Sequence, residues 1–130
     1  MPSVIQGERF TGNATFQRGF ADLTLVDCVF EDYTHQGVSM NDAVFVGCSF
    51  KRVDFYWASL FRTRFVKCEL EEVDFRGSAM SEAVFASCRL LRCDFGRDNL
   101  GSETDLAEVV FHRVEMIDCA GISASGESGI

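Results

Sequence analysis

Every fifth residue from Phe20 to Leu100 is Phe, Leu or Met, with His35 the one exception among seventeen positions. Those three types make up about a fifth of the chain, so the alignment is not a product of composition. A period of five matches neither an α-helix, at 3.6, nor a strand, at 2. Two residues before thirteen of these seventeen positions stands a small residue: Cys28, Val38, Ala43, Cys48, Val53, Ala58, Thr63, Cys68, Val73, Ser78, Ala83, Cys88 and Cys93. A coil of square section satisfies both files. Each five-residue unit makes one side and one corner, its large and small residues point inward, and four units close a turn of about 20 residues. Twenty recurs independently, in Cys28, Cys48, Cys68 and Cys88, in Val26, Val46 and Val66, and in Asp54, Asp74 and Asp94. Stacked at strand spacing of about 4.8 Å, such coils set like residues above one another. The one proline, Pro2, leaves every later amide free to donate to that ladder.

The units Ala43-Val44-Phe45, Val53-Asp54-Phe55, Ala58-Ser59-Leu60, Val73-Asp74-Phe75, Ala83-Val84-Phe85 and Cys93-Asp94-Phe95 resemble the motif of the pentapeptide-repeat family. That resemblance implies an all-β fold, a right-handed quadrilateral β-helix with about 20 residues per coil. The expected organisation is an N-terminal cap and irregular first coil over 1–19, where Phe10, Phe16 and Phe20 are spaced six and four. The repeat solenoid then runs over 20–119 and a Gly/Ser-rich flexible tail over 120–130. From Leu100 the next large residues are Leu106, Phe111 and Met116, which predicts a one-residue insertion at 101–105.

The frame assigns most of the reactive side chains to structure. Cys28, Cys48, Cys68, Cys88, Cys93 and, after the shift, Cys119 fall at the small inward position, where free Cys behaves as a small hydrophobe. They are expected to be reduced and slow to react. His35 and Tyr33 occupy one inward pair and read as a buried, hydrogen-bonded imidazole and phenol. His112 reads as a surface residue. Asp54, Asp74 and Asp94 stack on one side and are expected to bond local backbone rather than a cation. No catalytic, cofactor-binding or metal-ligating set emerges, and a core filled by Phe, Leu and Cys leaves no cavity for chemistry. The expectation is a non-enzyme without cofactors.

Binding must then use the outward positions. Glu31 and Asp32, Lys51 and Arg52, Glu71 and Glu72, then Leu91 and Arg92 follow one another on successive coils, an alternation of sign that penalises a slipped register. The net charge is −8, and residues 98–130 hold seven carboxylates against Arg113 alone, which places −6 of it at the C-terminal end. Residues 51–67 instead carry Lys51, Arg52, Arg62, Arg64 and Lys67 against Asp54. Beside that basic waist, Tyr56, Trp57 and Phe61 fall outward around one corner, the composition of a binding hot spot with Arg62. Candidate partner-binding residues are therefore Tyr56, Trp57, Phe61 and Arg62, with the acidic Glu103, Asp105, Glu108 and Glu115.

An acidic chain disfavours direct nucleic-acid contact, since phosphates need clustered cations. With no apolar run long enough for a signal peptide or a membrane span, a cytoplasmic protein with no membrane partner is expected. The segment Gly7-Glu8-Arg9-Phe10-Thr11-Gly12 followed by Thr15-Phe16 resembles the start of the quinolone-resistance, topoisomerase-protecting subgroup of the family. That resemblance implies a DNA-mimicking rod whose partner is DNA gyrase or topoisomerase IV. Two departures stand against it: the acid is concentrated at one end, and no C-terminal apolar helix is present. A homodimer through the open end, and a structural or scaffold role in a larger assembly, are the other readings.

Overall fold

The computed structural model describes residues 4–13, 19–96, 104, 106 and 108–121. The described residues contain strands and turns only, so none of their helices is long and apolar enough to cross a membrane. In chain order the strands are β1 (Val4–Gln6), β2 (Arg9–Asn13), β3 (Thr24–Val26), β4 (Val29–Thr34), β5 (Val44–Val46) and β6 (Ser49–Asp54). They continue with β7 (Arg64–Val66), β8 (Glu69–Asp74), β9 (Val84–Ala86), β10 (Arg89–Leu91), β11 (Val110–His112) and β12 (Glu115–Ile117). Odd-numbered strands form one parallel six-stranded sheet and even-numbered strands another, each ordered by sequence. These are two sides of the coil. The third is formed by the ends of the long strands β4, β6 and β8, through Tyr33 with Val53 and Asp54 with Asp74, and continues as single bridges from Asp74 to Asp94 and Ala120, while the fourth is held by single parallel bridges of Ser59 with Ser39 and Ala79.

The register is the twenty-residue repeat. Leu25 pairs with Phe45, Phe45 with Phe65 and Phe65 with Phe85, while Phe30, Phe50 and Leu70 stack on the next side. Every fifth residue from Asp22 to Arg92 takes positive φ, which is what turns each corner. Most are not glycine: Asp, Glu, Arg, Lys, Ser and Trp sit there at φ between 51° and 64°. Each such residue costs about 1–2 kcal/mol. The offset is an unbroken ladder, in which corner amides also bond the coil above, as Asp27 N to Val46 O and Lys67 N to Ala86 O, both 2.9 Å.

Inside, phenylalanines stack face to face along the axis. Phe45–Phe65 and Phe65–Phe85 have ring centroids 5.1 and 4.7 Å apart, Phe30–Phe50 4.7 Å and Phe75–Phe95 4.9 Å. Rings on adjacent sides meet edge to face, as Phe50 and Phe65 do at 5.7 Å and 69°. The small file solves the problem of its own polar atoms. Thr63 Oγ1 donates to Met40 O at 2.7 Å and Ser78 Oγ to Phe55 O at 2.9 Å. The thiols of Cys48, Cys68, Cys88 and Cys93 reach the equivalent carbonyls of Leu25, Phe45, Phe65 and Leu70 at 3.1–3.4 Å. Cys, Ser and Thr are thus interchangeable there because each can donate to the coil below. Tyr33 and His35, both buried, pair through the phenol oxygen and Nδ1 at 3.0 Å, and burial pushes the Tyr33 phenol up to about 12.

Two features differ from the sequence expectation. Phe85 pairs with Phe111 and Leu90 with Met116, steps of 26, so the last coil holds six residues beyond twenty and not one. Thr104 occupies the place of Ser78, donating to Phe75 O at 3.1 Å, which puts the extra residues between Gly96 and Thr104. Six is one full unit plus one, so the five-residue phase looks the same in both cases. Second, Ala120 is not in a tail, since it bridges Asp94 and its carbonyl accepts from Phe95 N at 2.8 Å. The rest of the expected tail, 122–130, lies outside the described residues. The first coil pairs in register at Ile5 with Leu25 and at Phe10 with Phe30 and carries an irregularity between Phe10 and Gly12, while Phe16 lies outside the described residues.

Five cysteines are buried, but Cys119, on the last described coil, is half-buried. The Cys93 thiol hydrogen-bonds its thiolate and brings its pKa down to about 6. Timed alkylation of the native protein at pH 7, read by mass spectrometry, is expected to label Cys119 within minutes and the other five only after denaturation. Fast native labelling of Cys28, Cys48, Cys68, Cys88 or Cys93 would overturn the inward assignment.

Candidate functional site

With the interior filled, chemistry is set column by column along the corners. The Asp file confirms its local role. Asp54 Oδ1 accepts from Tyr56 N at 2.9 Å, Asp74 Oδ1 from Arg76 N at 2.9 Å and Asp94 Oδ1 from Gly96 N at 2.8 Å. Each carboxylate closes a turn two residues ahead of itself. Among the described residues no group of three or more His, Cys, Asp or Glu is placed to hold a metal ion.

Trp57 stands at a corner with φ 61° and 49% exposure. In the coils before and after, the same corner position is Gly37 and Gly77, so the indole protrudes between two residues without side chains. Tyr56, half-buried, stacks on it with centroids 5.3 Å apart and planes 19° from parallel. The Arg76 guanidinium lies 5.2 Å from the Tyr56 ring centroid and pairs with Asp74 at 3.0 Å, with Asp94 at 3.7 Å. Sequence reasoning missed Arg76. Its signal was available, because Arg76 follows Tyr56 by one coil at the same position.

Phe61 and Arg62 are not around the same corner as Tyr56 and Trp57, as expected from sequence, but at the next one. A five-residue step turns the chain through one full corner, so neighbours in sequence diverge in direction. Phe61 is half-buried, its amide donating to Asn41 Oδ1 at 2.8 Å. Arg62 lies over the Phe61 ring at 4.4 Å and holds Asp42 through two contacts of 2.8 and 3.0 Å.

The acidic candidates also separate. Glu108 is exposed at a corner with φ 59°, on the column that carries Asp22, Asp42, Arg62 and Glu82. Glu115 is on another side and pairs with Arg89 at 3.2 Å. Glu103 and Asp105 lie outside the described residues. The alternating column forms the ion pairs that its pattern predicted between its first and second and its third and fourth coils, but none within 4 Å between Lys51 or Arg52 and Glu71 or Glu72. Arg52 reaches Asp32 at 3.0 Å and Glu31 at 3.8 Å, Arg92 reaches Glu71 at 2.9 Å and Glu72 at 3.4 Å, and Arg9 pairs with Glu31. The arginines beside them hold Asp32 and Asp42 below their ordinary 3.8. Both carboxylates therefore favour the folded state above that value, and the contribution disappears as pH falls through their lowered pKa values. His112 is exposed, as expected.

A family model for pentapeptide repeats (8 copies) matches residues 36–65. No curated protein matches the sequence. Among solved structures, full-length QnrB1, a plasmid-mediated fluoroquinolone resistance protein, is similar with a TM-score of 0.68 at 16% identity, over 92% of this chain and 70% of that one. Two trypsin-treated QnrB1 variants give TM-scores of 0.66 and 0.65 at 20% and 22% identity, each over 88% of this chain. The chain spans about half the length of those two, 54% and 53%. At these identities the likeness is one of fold. Repeat, register, stacked core and family match agree: residues 36–65 match the pentapeptide repeats, and the described coils share the fold of a pentapeptide-repeat β-helix.

Proposed function

We propose that this chain is a non-enzymatic rod that binds another protein, with Trp57 as the anchor of the contact. The observation that carries this reading is the half-exposed indole held by Tyr56 between two glycine corners. A rod with a purely structural role gains little from a large apolar side chain displayed at a strained corner. The stack with Tyr56, itself fixed by Asp54 and Arg76, presents the two rings with little freedom left to lose on binding. Trp57→Ala is expected to change stability by no more than about 0.5 kcal/mol, as outward substitutions do, while weakening the native interaction by about 2 kcal/mol, near thirtyfold. Melting and titration against a partner purified from the native host test both halves. Unfolding would make Trp57 a core residue, and undiminished binding would move the contact elsewhere.

The finer reading gives the partner as a type II topoisomerase, DNA gyrase or topoisomerase IV, with the rod in its DNA groove. A fold shared with a fluoroquinolone resistance protein and a net charge of −8 favour it. A DNA mimic must lose affinity when its carboxylates become lysines. Charge reversal of Glu103, Asp105, Glu108 and Glu115 is accordingly expected to abolish inhibition-relief in a supercoiling assay with a fluoroquinolone. Retained protection by that variant would leave the broader protein-binding reading and remove the topoisomerase.

A further inference from the structure

Eight of the twelve outward positions on the sheet of β1, β3, β5, β7, β9 and β11 are aliphatic where a solvated side should be polar, the others being Gln6, Thr24, Arg64 and His112. Val44, Val46, Val66 and Val84 occupy its middle, and Val4 and Val110, 55% and 45% exposed, stand at its two ends. The neighbouring sheet does the opposite, showing Glu31, Lys51, Glu69, Glu71, Arg89 and Glu115 outward. The apolar strip is therefore a property of one side and not of the repeat. Six strands at about 4.8 Å make it about 24 Å long. Along one border runs the exposed corner column Asp22, Asp42, Arg62, Glu82 and Glu108, one residue per level. Arg64 projects from the strip beside Arg62 and makes no ion pair within 4 Å among the described residues. The border thus reads minus, minus, plus, minus, minus, with the second and third charges, Asp42 and Arg62, also paired to each other at 2.8 Å.

We propose that this valine side docks an amphipathic α-helix of a partner protein, aliphatic along its buried stripe and carrying a flank that reads basic, basic, acidic, basic, basic. An apolar sheet face is covered in folded proteins by a helix or another sheet, and the length here suits a helix of about 16 residues at 1.5 Å per residue. A helix flank offers one position per turn, at i, i+4, i+7, i+11 and i+14. Four turns rise about 22 Å, against about 19 Å for four coils, a mismatch that lysine side chains absorb. The central acid faces Arg62 and Arg64, and the four bases face the four carboxylates.

A second copy of the chain fits worse. With the rods antiparallel and centred between the third and fourth levels, the border meets itself inverted, so that Asp22 faces Glu82, and the opposite charges that do meet, Asp42 and Arg62, are already paired within each chain. With the rods parallel, it meets the opposite corner column, where Asp22 faces Asp27 and Arg62 faces Lys67, against one favourable contact of Glu108 with Arg113. A strip about 24 Å long and three residues wide also falls well short of the roughly 800 Å² per partner of a stable interface. The helix would be one element of a larger contact, so this inference rests on the protein-binding reading and specifies the partner's chemistry.

The test uses a fluorescent synthetic 18-residue peptide, with leucines along one helical face and Lys, Lys, Glu, Lys, Lys on the flank, titrated against the full chain. An isomer of identical composition with the Glu moved to the second flank position is the control. Binding at least about fivefold tighter than the isomer is expected, since two charge contacts are misplaced in the latter. Val66→Glu is expected to abolish it, and Arg62→Glu with Arg64→Glu to shift preference to an all-lysine flank. Should Val66→Glu fail to fold, Val46→Thr with Val84→Thr keeps the sheet and should weaken binding. Equal binding of the two isomers, or indifference to the valine substitutions, overturns the proposal. So does a dimer in sedimentation that Val66→Glu dissociates, because a second copy then owns the side. A native partner that depends on Trp57 but ignores Val66→Glu leaves protein binding standing and removes only this surface.

Discussion

Phe65→Ala is expected to lower stability by about 3–5 kcal/mol, the range for removing a buried aromatic ring from a core that cannot collapse around the void. Phe65 is fully buried and stacked on both sides, against Phe45 at 5.1 Å and Phe85 at 4.7 Å. It also meets the edges of Phe50 and Phe75 on adjacent sides. Collapse is blocked because the coil spacing is fixed by hydrogen bonds such as Arg64 N to Ala43 O, 2.9 Å, and Lys67 N to Ala86 O, 2.9 Å. The neighbouring rings cannot approach without breaking them. A solenoid adds a further penalty, since each coil is stabilised only by the coils above and below, and a weakened central coil uncouples the two halves. For a chain of this size the melting temperature should drop by about 10 °C or more. A drop of two or three degrees would mean that the ring is not in the file and that the five-residue frame is misplaced.

Gly19→Ala is expected to cost about 2–4 kcal/mol, although it adds one methyl group to a half-buried residue. A Cβ at Gly19 would stand 1.9 Å from Ser39 O, and the obstacle is backbone, which cannot rotate away. That carbonyl accepts from Phe20 N at 3.1 Å, so relief of the clash breaks the bond that seats Phe20 in the core. Gly47→Ala is the matched control. Its Cβ would meet Asp27 Oδ1 at 2.6 Å, the end of a side chain that can swing aside, and its remaining cost is the positive φ of 64°. About 1 kcal/mol is expected there. Equal melting temperatures for the two variants would show that the first coil does not approach Ser39 as described. Hydrogen exchange at the Phe20 amide separates local loosening from global unfolding.

What the sequence determined by itself follows from parallel stacking. When identical positions lie directly above one another, a preference at one position is repeated on every coil, and a period becomes visible without any alignment. The inward Phe, Leu and Met file, the Cys file, the Asp turns and the Glu31–Arg52–Glu71–Arg92 alternation were legible for that reason. What tertiary structure alone decided are the quantities that the phase does not contain. Six extra residues and one leave the same five-residue phase, so only the pairing of Phe85 with Phe111 distinguishes them. Inward or outward is fixed by phase, but which corner an outward residue occupies requires counting sides, and so Phe61 and Arg62 part from Tyr56 and Trp57. Exposure depends on what lies on the next coil: Trp57 protrudes because Gly37 and Gly77 flank it, and Cys119, on the last described coil, is half-buried where the other five cysteines are buried. The valine side and its charged border belong to the same class, since residues twenty apart become neighbours only when four corners bring the chain back onto itself at strand spacing.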